Sequence, residues 1–330
     1  MKVYLAAAVP WERDRTPIPA FEQVARQDRF QLHALTDDPA DADLILFVDA
    51  HLHPNDWRLQ SIRRHPLAIR YFDKVCLYDE RDRPWCSLPG VYVSMPKSTF
   101  DRQKQQAYAY YTNNMTQRLQ AAKQVAPDLL FSFMGGRSHK LRDQIFRLSH
   151  PRAEITNTSQ VNFFVSSGEP DYAEKIERQK QIFADTLLRS KFVICPRGAG
   201  TSSIRLYEAM SAGRAPVIIS DNWQRPVGPD WEKCALTVRE ADIEKIPQLL
   251  EERERDAEAI GALALAEYTA WFAPDVMFHH LIESCRKVLQ NPHPKSTKLD
   301  KQYLRCGLED AAIRGRMSLV KLRNRLRGSG

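Results

Sequence analysis

Several features are missing from this 330-residue chain, and each absence narrows what it can be. No run of about eighteen consecutive apolar residues occurs, so no segment reads as a membrane-spanning helix. There is no CxxC pair and no tight Cys/His cluster. The six cysteines (Cys76, Cys86, Cys195, Cys234, Cys285 and Cys306) are scattered, which argues against a zinc knuckle or a disulfide framework and suits a reduced, cytoplasmic setting. No repeat of fixed period and no low-complexity tract is present, which excludes a solenoid. The amino terminus carries one positive charge and a short apolar run ended by Trp11-Glu12-Arg13-Asp14. That is a poor secretory signal and a better first buried strand.

Positive charge is also scarce where a nucleic-acid binder needs it. The net charge of +7 arises in residues 291–330, which hold ten Lys or Arg against three Asp or Glu. The first 290 residues are balanced at 38 basic and 38 acidic, and no nucleic-acid-binding signature accompanies the tail. What remains is an average globular composition of 43% apolar and 27% charged residues, with a mean hydropathy of −0.48. At 38.0 kDa the chain is large enough for two domains.

Short apolar runs alternate with longer amphipathic stretches, the α/β pattern of sheets covered by helices. Expected strands are Val3–Ala8, Leu44–Val48, Val75–Tyr78 and Val91–Ser94, with helices near Ile18–Arg26 and Trp57–Arg64. Phe100–Gln120, rich in Gln and Tyr, is expected to be a connecting helix. A second series has strands at Leu129–Phe133, Phe192–Cys195 and Ala215–Ile219. Its helices are expected at Lys140–Leu148, Ala173–Ser190, Ser203–Ala212, Asp242–Glu251 and Asp256–Trp271. Ala126-Pro127-Asp128 punctuates the change, so the expected units are 1–125, 126–290 and a tail of 291–330 that begins at Asn291-Pro292-His293-Pro294. Two tandem α/β units suggest a ligand in the cleft between them, at the carboxyl ends of the strands.

The chemistry is concentrated between Lys191 and Gly213, which read as strand, glycine-containing turn, hydroxyl cap and helix. Gly198 and Gly200 allow a sharp turn and a close ligand approach, and Thr201, Ser202 and Ser203 supply the cap. A helix start presents unpaired amide donors and partial positive charge, to which Arg197 and Arg205 add full charges. That combination suits a diphosphate. Glu208 follows Arg205 by three residues on the same helical face, where a carboxylate can accept bonds from two ribose hydroxyls. An ordinary surface ion pair between Arg205 and Glu208 is the competing reading. The next strand ends in Ser220-Asp221-Asn222-Trp223 on the cleft side, which offers Asn222 as a binding residue. Trp223 is either a stacking platform or a core side chain. Cys195 has no evident base partner and reads as a buried thiol.

The run from Cys195 to Trp223, CPRGAGTSSIRLYEAMSAGRAPVIISDNW, followed by Asp230-Trp231 and Glu240-Ala241-Asp242-Ile243, closely resembles the exostosin family of glycosyltransferases. The match holds in order and spacing over about sixty residues. Leu130–Arg137 with Leu141-Arg142-Asp143 is similar to the family's strand-glycine-helix opening of the nucleotide domain. It brings Gly135-Gly136, Arg137 and Arg142 into consideration as phosphate contacts, with Lys140 beside them. The chain departs from the pattern at Arg225-Pro226-Val227 and in its first 125 residues. With neither the anchor nor the cysteine pattern of animal and plant members, it looks like a compact bacterial-type member.

The resemblance implies a GT-B fold, with two Rossmann-like domains whose parallel sheets face each other across a cleft. The carboxyl-terminal domain would hold a nucleotide sugar, usually a UDP-sugar, and the amino-terminal one the acceptor. It also implies inversion at the anomeric carbon, with a glycan or glycosylated metabolite taking the sugar on a hydroxyl. Arg197, Arg205 and the helix amides can neutralise the leaving diphosphate in place of a metal ion, so no cofactor is expected. The one Asp-x-Asp, Asp41-Ala42-Asp43, precedes its strand and reads as solvated. A base must take the acceptor proton, and Leu44–Val48 ends in Asp49-Ala50-His51-Leu52-His53. Asp49 is the first choice, His51 its rival, and a plain polar loop the alternative.

Residues 311–327 mix apolar side chains with Arg314, Arg316, Lys321, Arg323, Arg325 and Arg327, a basic amphipathic helix of the kind that can lie on anionic lipid. A solvated tail or a helix packed back across the domains are the other readings. Competing functions are a GDP-sugar-dependent, fucosyltransferase-like enzyme and a non-catalytic glycan- or nucleotide-binding partner. A dinucleotide oxidoreductase is disfavoured, since no G-x-G-x-x-G follows the first strand.

Overall fold

The structure, a computed structural model, describes residues 1–8, 16–48, 59–84, 86–111, 115–121, 125–160 and 172–291. The loop carrying Asp49, His51 and His53, and the basic segment 311–327, lie outside these described residues.

The first sheet contains β1 (Lys2–Ala6), β2 (Ala34–Leu35), β3 (Leu44–Phe47), β4 (Val75–Asp79), β5 (Gly90–Tyr92) and β6 (Gln105–Ala107). The second contains β7 (Leu129–Gly135), β8 (Ala153–Asn157), β9 (Ser190–Pro196), β10 (Ala215–Ile219) and β11 (Leu236–Thr237). Spatial order is β2-β1-β3-β4-β5-β6 in one and β11-β10-β9-β7-β8 in the other, and every pairing is parallel. The sequence accounts for this directly. The central strands LILF, LLFSFMG and APVII are nearly unbroken apolar runs, buried throughout, as strands covered on both faces must be.

Two of the expected helices differ in the structure. The Phe100–Gln120 segment is not one helix: it supplies β6 before the short helix Thr116–Ala121. Within β6 the fully buried Gln105 amide is satisfied by the carbonyl of Cys86. Lys140–Leu148 is helical only at Arg142–Ile145, with turns on either side.

A third feature was not expected at all. The helix Pro274–Leu289 returns to the first sheet, with Leu281, Ile282 and Cys285 buried against it. The carbonyl of Asp275 accepts the Arg29 amide at 2.8 Å, and the Cys76 thiol reaches the Cys285 carbonyl at 3.9 Å. Each large apolar side chain buried there contributes roughly 1.5–3 kcal/mol of transfer free energy. One apolar cluster therefore runs continuously from Val3 and Leu46 through Leu281 to Tyr207 and Phe272.

The units also dock directly. Trp223 bridges Pro96 in antiparallel fashion, and its indole N–H donates to the Val93 carbonyl at 3.3 Å. Among the described residues, no helix is long and apolar enough to cross a membrane.

Candidate active site

The site begins where β9 ends. The Arg197 amide donates to the Ile219 carbonyl at 3.0 Å, which carries the β9–β10 ladder one residue further before the chain turns. The Ser220 hydroxyl bonds the Thr201 carbonyl at 2.7 Å and holds the turn against β10. Ser203 then adopts an extended N-cap conformation, and the helix Ile204–Ser211 follows. Its far end closes with two Schellman bonds, Gly213 N–H to Met210 and Arg214 N–H to Ala209, with Gly213 at φ 65°, a conformation glycine adopts at low cost. The helix is fixed at both ends, so its first turn faces the cleft in one orientation.

Arg142 secures the turn from the β7 side. Its Nε donates to the Arg197 carbonyl at 3.0 Å, Nη1 to Gly136 at 2.9 Å and Nη2 to Pro196 at 3.2 Å. Its guanidinium also lies 5.5 Å from the centre of the Phe133 ring. Burial, and then the like charge of Arg205, bring its pKa down to about 10. Three of the five Arg142 N–H donors are thus committed to carbonyls, which makes it a positioning residue for the turn.

Arg205 is held differently. Its guanidinium lies 4.8 Å from the Phe183 ring centre and 5.8 Å from that of Phe133, and Nε stands 3.9 Å from Glu208 Oε2. A methyl group on Gly135 would come within 3.2 Å of Arg205 Nη1, so the β7 and β9 turns converge on this side chain. Glu208 is 4% exposed; burial raises its carboxyl pKa, and Arg205 opposes the rise. The pair is close enough to influence each other and too far apart to satisfy either.

Unsatisfied atoms accumulate here. Buried polar atoms without a hydrogen-bond partner between residues 197 and 208 include Arg197 Nε, Thr201 Oγ1, Arg205 Nε and Glu208 Oε2, beside a Ser202 hydroxyl shared with Tyr110 and Tyr207. Buried polar groups in a folded protein are ordinarily bonded, so such a concentration marks the place of a polar ligand. Arg197 adds a second cation, 3.9 Å from Glu240.

The structure therefore brings together Arg197, Gly198, Ser202, Ser203, Arg205 and Glu208, with Arg142 behind them. Arg137 is exposed and paired with Asp143 at 3.1 Å. Asn222 turns away: its side-chain oxygen accepts the Ser98 amide and its nitrogen donates to the Ser98 hydroxyl, so it ties the two units together. Trp223 is a core side chain, 2% exposed. Cys195 is buried, which pushes its thiol pKa up. Asp41 and Asp43 sit at the amino-terminal end of β3, on the side chain and amide of Lys2.

The sequence reading missed the groups that meet the turn from the first unit. A methyl group on Gly200 would collide with the Ser94 hydroxyl and lie 2.8 Å from Asp82 Oδ1, which is why only glycine fits there. Three carboxylates, Asp79, Glu80 and Asp82, lie at the end of β4 and just beyond it, and the first two are occupied. Asp79 is fully buried and held by Arg81 Nη2 at 2.6 Å, and Glu80 accepts the Tyr78 hydroxyl at 2.6 Å. Asp82 remains exposed at the cleft. The signal that drew attention to Asp49, an acidic residue just past a buried strand, is equally present at Asp82.

Two parallel α/β units, a helix returning from the second to the first, and a cationic helix start at the strand ends between them define a GT-B protein. The exostosin GT47 domain matches residues 18–253, and the chain belongs to this family. It is 39% identical over 70 residues to an exostosin-1 homolog of Caenorhabditis elegans, covering 21% of this chain and 18% of that protein. It is 30% identical over 128 residues to a probable glucuronosyltransferase of Oryza sativa subsp. japonica, covering 36% of this chain and 30% of that protein. The chain thus spans less than a third of either relative. Among solved structures, a glycosyltransferase from Rickettsia africae aligns over 88% of this chain and 99% of its own, at 9% identity and a TM-score of 0.44.

Proposed function

We propose that this protein is an inverting, metal-independent glycosyltransferase that moves a sugar from a nucleoside diphosphate donor, a UDP-sugar, to a hydroxyl of a glycan or glycosylated metabolite. The observation that carries this reading is the set of unpaired, buried polar atoms around Arg205 and Glu208 at a helix start. The diphosphate lies on the Gly198–Ser203 turn, where amides and hydroxyls donate and Arg197 and Arg205 supply charge. Glu208, one turn in, accepts the ribose hydroxyls, which replaces its missing partner and stabilises its ionised form.

Transfer is a single displacement. The acceptor oxygen forms a bond to the anomeric carbon as the bond from that carbon to the diphosphate oxygen breaks, and the acceptor proton passes to a carboxylate of the first unit. Asp82 is the described residue best placed to take it, because it is exposed and borders the turn. Negative charge grows on the leaving group in the transition state, and the two arginines are already there to meet it, the role a divalent ion plays elsewhere.

The test is nucleotide binding followed by turnover. UDP should raise the melting temperature more than GDP does, and the isolated chain should form product from a UDP-sugar panel. A larger shift with GDP would replace the donor assignment. Nucleotide binding without product from any donor would leave a binding subunit in place of an enzyme.

A further inference from the structure

Behind the diphosphate turn, at the junction of the two units, the described residues line a half-open cavity of about 210 Å³. Its floor is aromatic, with Tyr110 and Tyr207 edge to face at 6.0 Å and Tyr207 and Phe272 at 5.0 Å. The exposed amide side chains of Gln23 and Gln117 stand at its rim. No charged residue lines it among the described residues. Tyr207 is 2% exposed, and its hydroxyl is shared with Ser202, which also meets Tyr110.

These features select a ligand class. A phosphate or carboxylate would need a cation, and the described residues of the lining include none. A wholly apolar ligand would leave the amides of Gln23 and Gln117 at the mouth unused. A sugar ring offers both surfaces that are needed: C–H faces that pack on aromatic rings, and hydroxyls at its edge that exchange bonds with amides and phenols. The size also fits, since a cavity of about 150 Å³ accepts benzene and drug-sized ligands need about 300 Å³ or more.

We propose that this cavity binds one neutral sugar ring, either a unit of the acceptor glycan remote from the reacting hydroxyl or a free sugar. The proposal rests on the glycosyltransferase reading for its biological sense. The site adjoins the diphosphate turn, because the Tyr110 hydroxyl stands 3.5 Å from Ser94 Oγ and Ser94 abuts Gly200. Its walls come from both units, so an occupant contacts both.

The experiment is saturation-transfer NMR on the full chain with glucose, galactose, xylose and N-acetylglucosamine, with glucuronate as the charged control. Ring protons of at least one neutral sugar should receive saturation, and glucuronate should receive much less. Ala20→Leu fills the cavity and should abolish the signal. Gln117→Leu, an exposed rim change that leaves the core alone, should weaken binding about two- to tenfold, the worth of one hydrogen bond. UDP affinity should be unaltered in both variants.

A free sugar that competes with an oligosaccharide acceptor would identify an acceptor unit. One that changes the transfer rate without competing would identify a separate ligand. The proposal is overturned if no neutral sugar binds in a way that Ala20→Leu removes, or if glucuronate binds as well as glucose. UDP binding without sugar binding would remove the cavity assignment alone, and sugar binding without UDP binding would remove the donor assignment alone.

Discussion

At the amino-terminal end of the second sheet, charged side chains are paired off. Arg152 meets both oxygens of Glu254 at 2.6 and 2.7 Å, Lys191 joins them at 2.6 Å, and Arg189 forks onto Asp128 at 2.6 and 2.9 Å. At the carboxyl end of the same strands, Arg205 stands 3.9 Å from Glu208 and Arg197 stands 3.9 Å from Glu240, with buried nitrogens unbonded. One chain solves the same problem two ways, so the open spacing is not forced by the fold. Exposed pairs contribute little each, roughly 0.2–1 kcal/mol, whereas buried groups left apart cost stability. The arrangement makes physical sense when a ligand completes the open end.

Substitutions at the two ends should therefore act on different properties. The largest effect is expected opposite the open end, at Asp82. Asp82→Asn should lower kcat by about 10²–10⁴, the range for a lost general base, while UDP affinity is retained. Steady-state kinetics beside calorimetry will separate the two.

Next is Arg205→Ala, which should reduce transfer by about 2–4 kcal/mol of transition-state stabilisation and weaken UDP binding. It also leaves Glu208 buried without its cation, so that carboxyl pKa should move further up.

Glu208→Gln should weaken UDP binding about tenfold, the lower end of the worth of hydrogen bonds to a charged group. Burial raises the Glu208 pKa above its ordinary 4.5, so the ionised side chain costs folding stability above the raised value and none below 4.5. Since the ribose hydroxyls favour the ionised form, wild-type UDP affinity should fall as pH drops through the raised value. The Gln variant should lack that component, which titration calorimetry at several pH values will reveal.

The smallest effect belongs to the closed end. Glu254→Gln should cost about 1 kcal/mol or less and leave UDP binding alone. Arg152 and then Lys191 hold the Glu254 pKa down to about 2, so its contribution is present above 4.5 and lost as pH falls toward 2. Denaturant unfolding of the variant should show a weaker acid dependence over that window.

How much of this was legible in the sequence follows the distance over which each feature is encoded. The Arg197–Glu208 segment was readable because strand end, turn, cap and helix face are local, and Arg205 and Glu208 fall together by helical period alone. The buried strands Leu44–Phe47 and Ala215–Ile219 announce themselves as apolar runs. β8 was not anticipated: Ala153–Asn157 lies at the sheet edge, none of its residues is fully buried, and it has no apolar run to show. No element is assigned to the Pro274–Leu289 helix from the sequence. Its docking on the first sheet is set by packing with residues some two hundred positions away, such as Cys76. Asp82 and Ser94 reach Gly200 only through the approach of two sheets. Arg142 was counted among the phosphate contacts, because a sequence cannot say that three carbonyls occupy its donors first.

The most direct test is calorimetric titration of UDP into the wild-type chain, Arg205→Ala and Glu254→Gln side by side. Tight binding to the wild type and to Glu254→Gln, with affinity at least about tenfold weaker in Arg205→Ala, is the expected result. Equal affinity in all three would contradict the claim that the open end of the second sheet is built to grip a diphosphate.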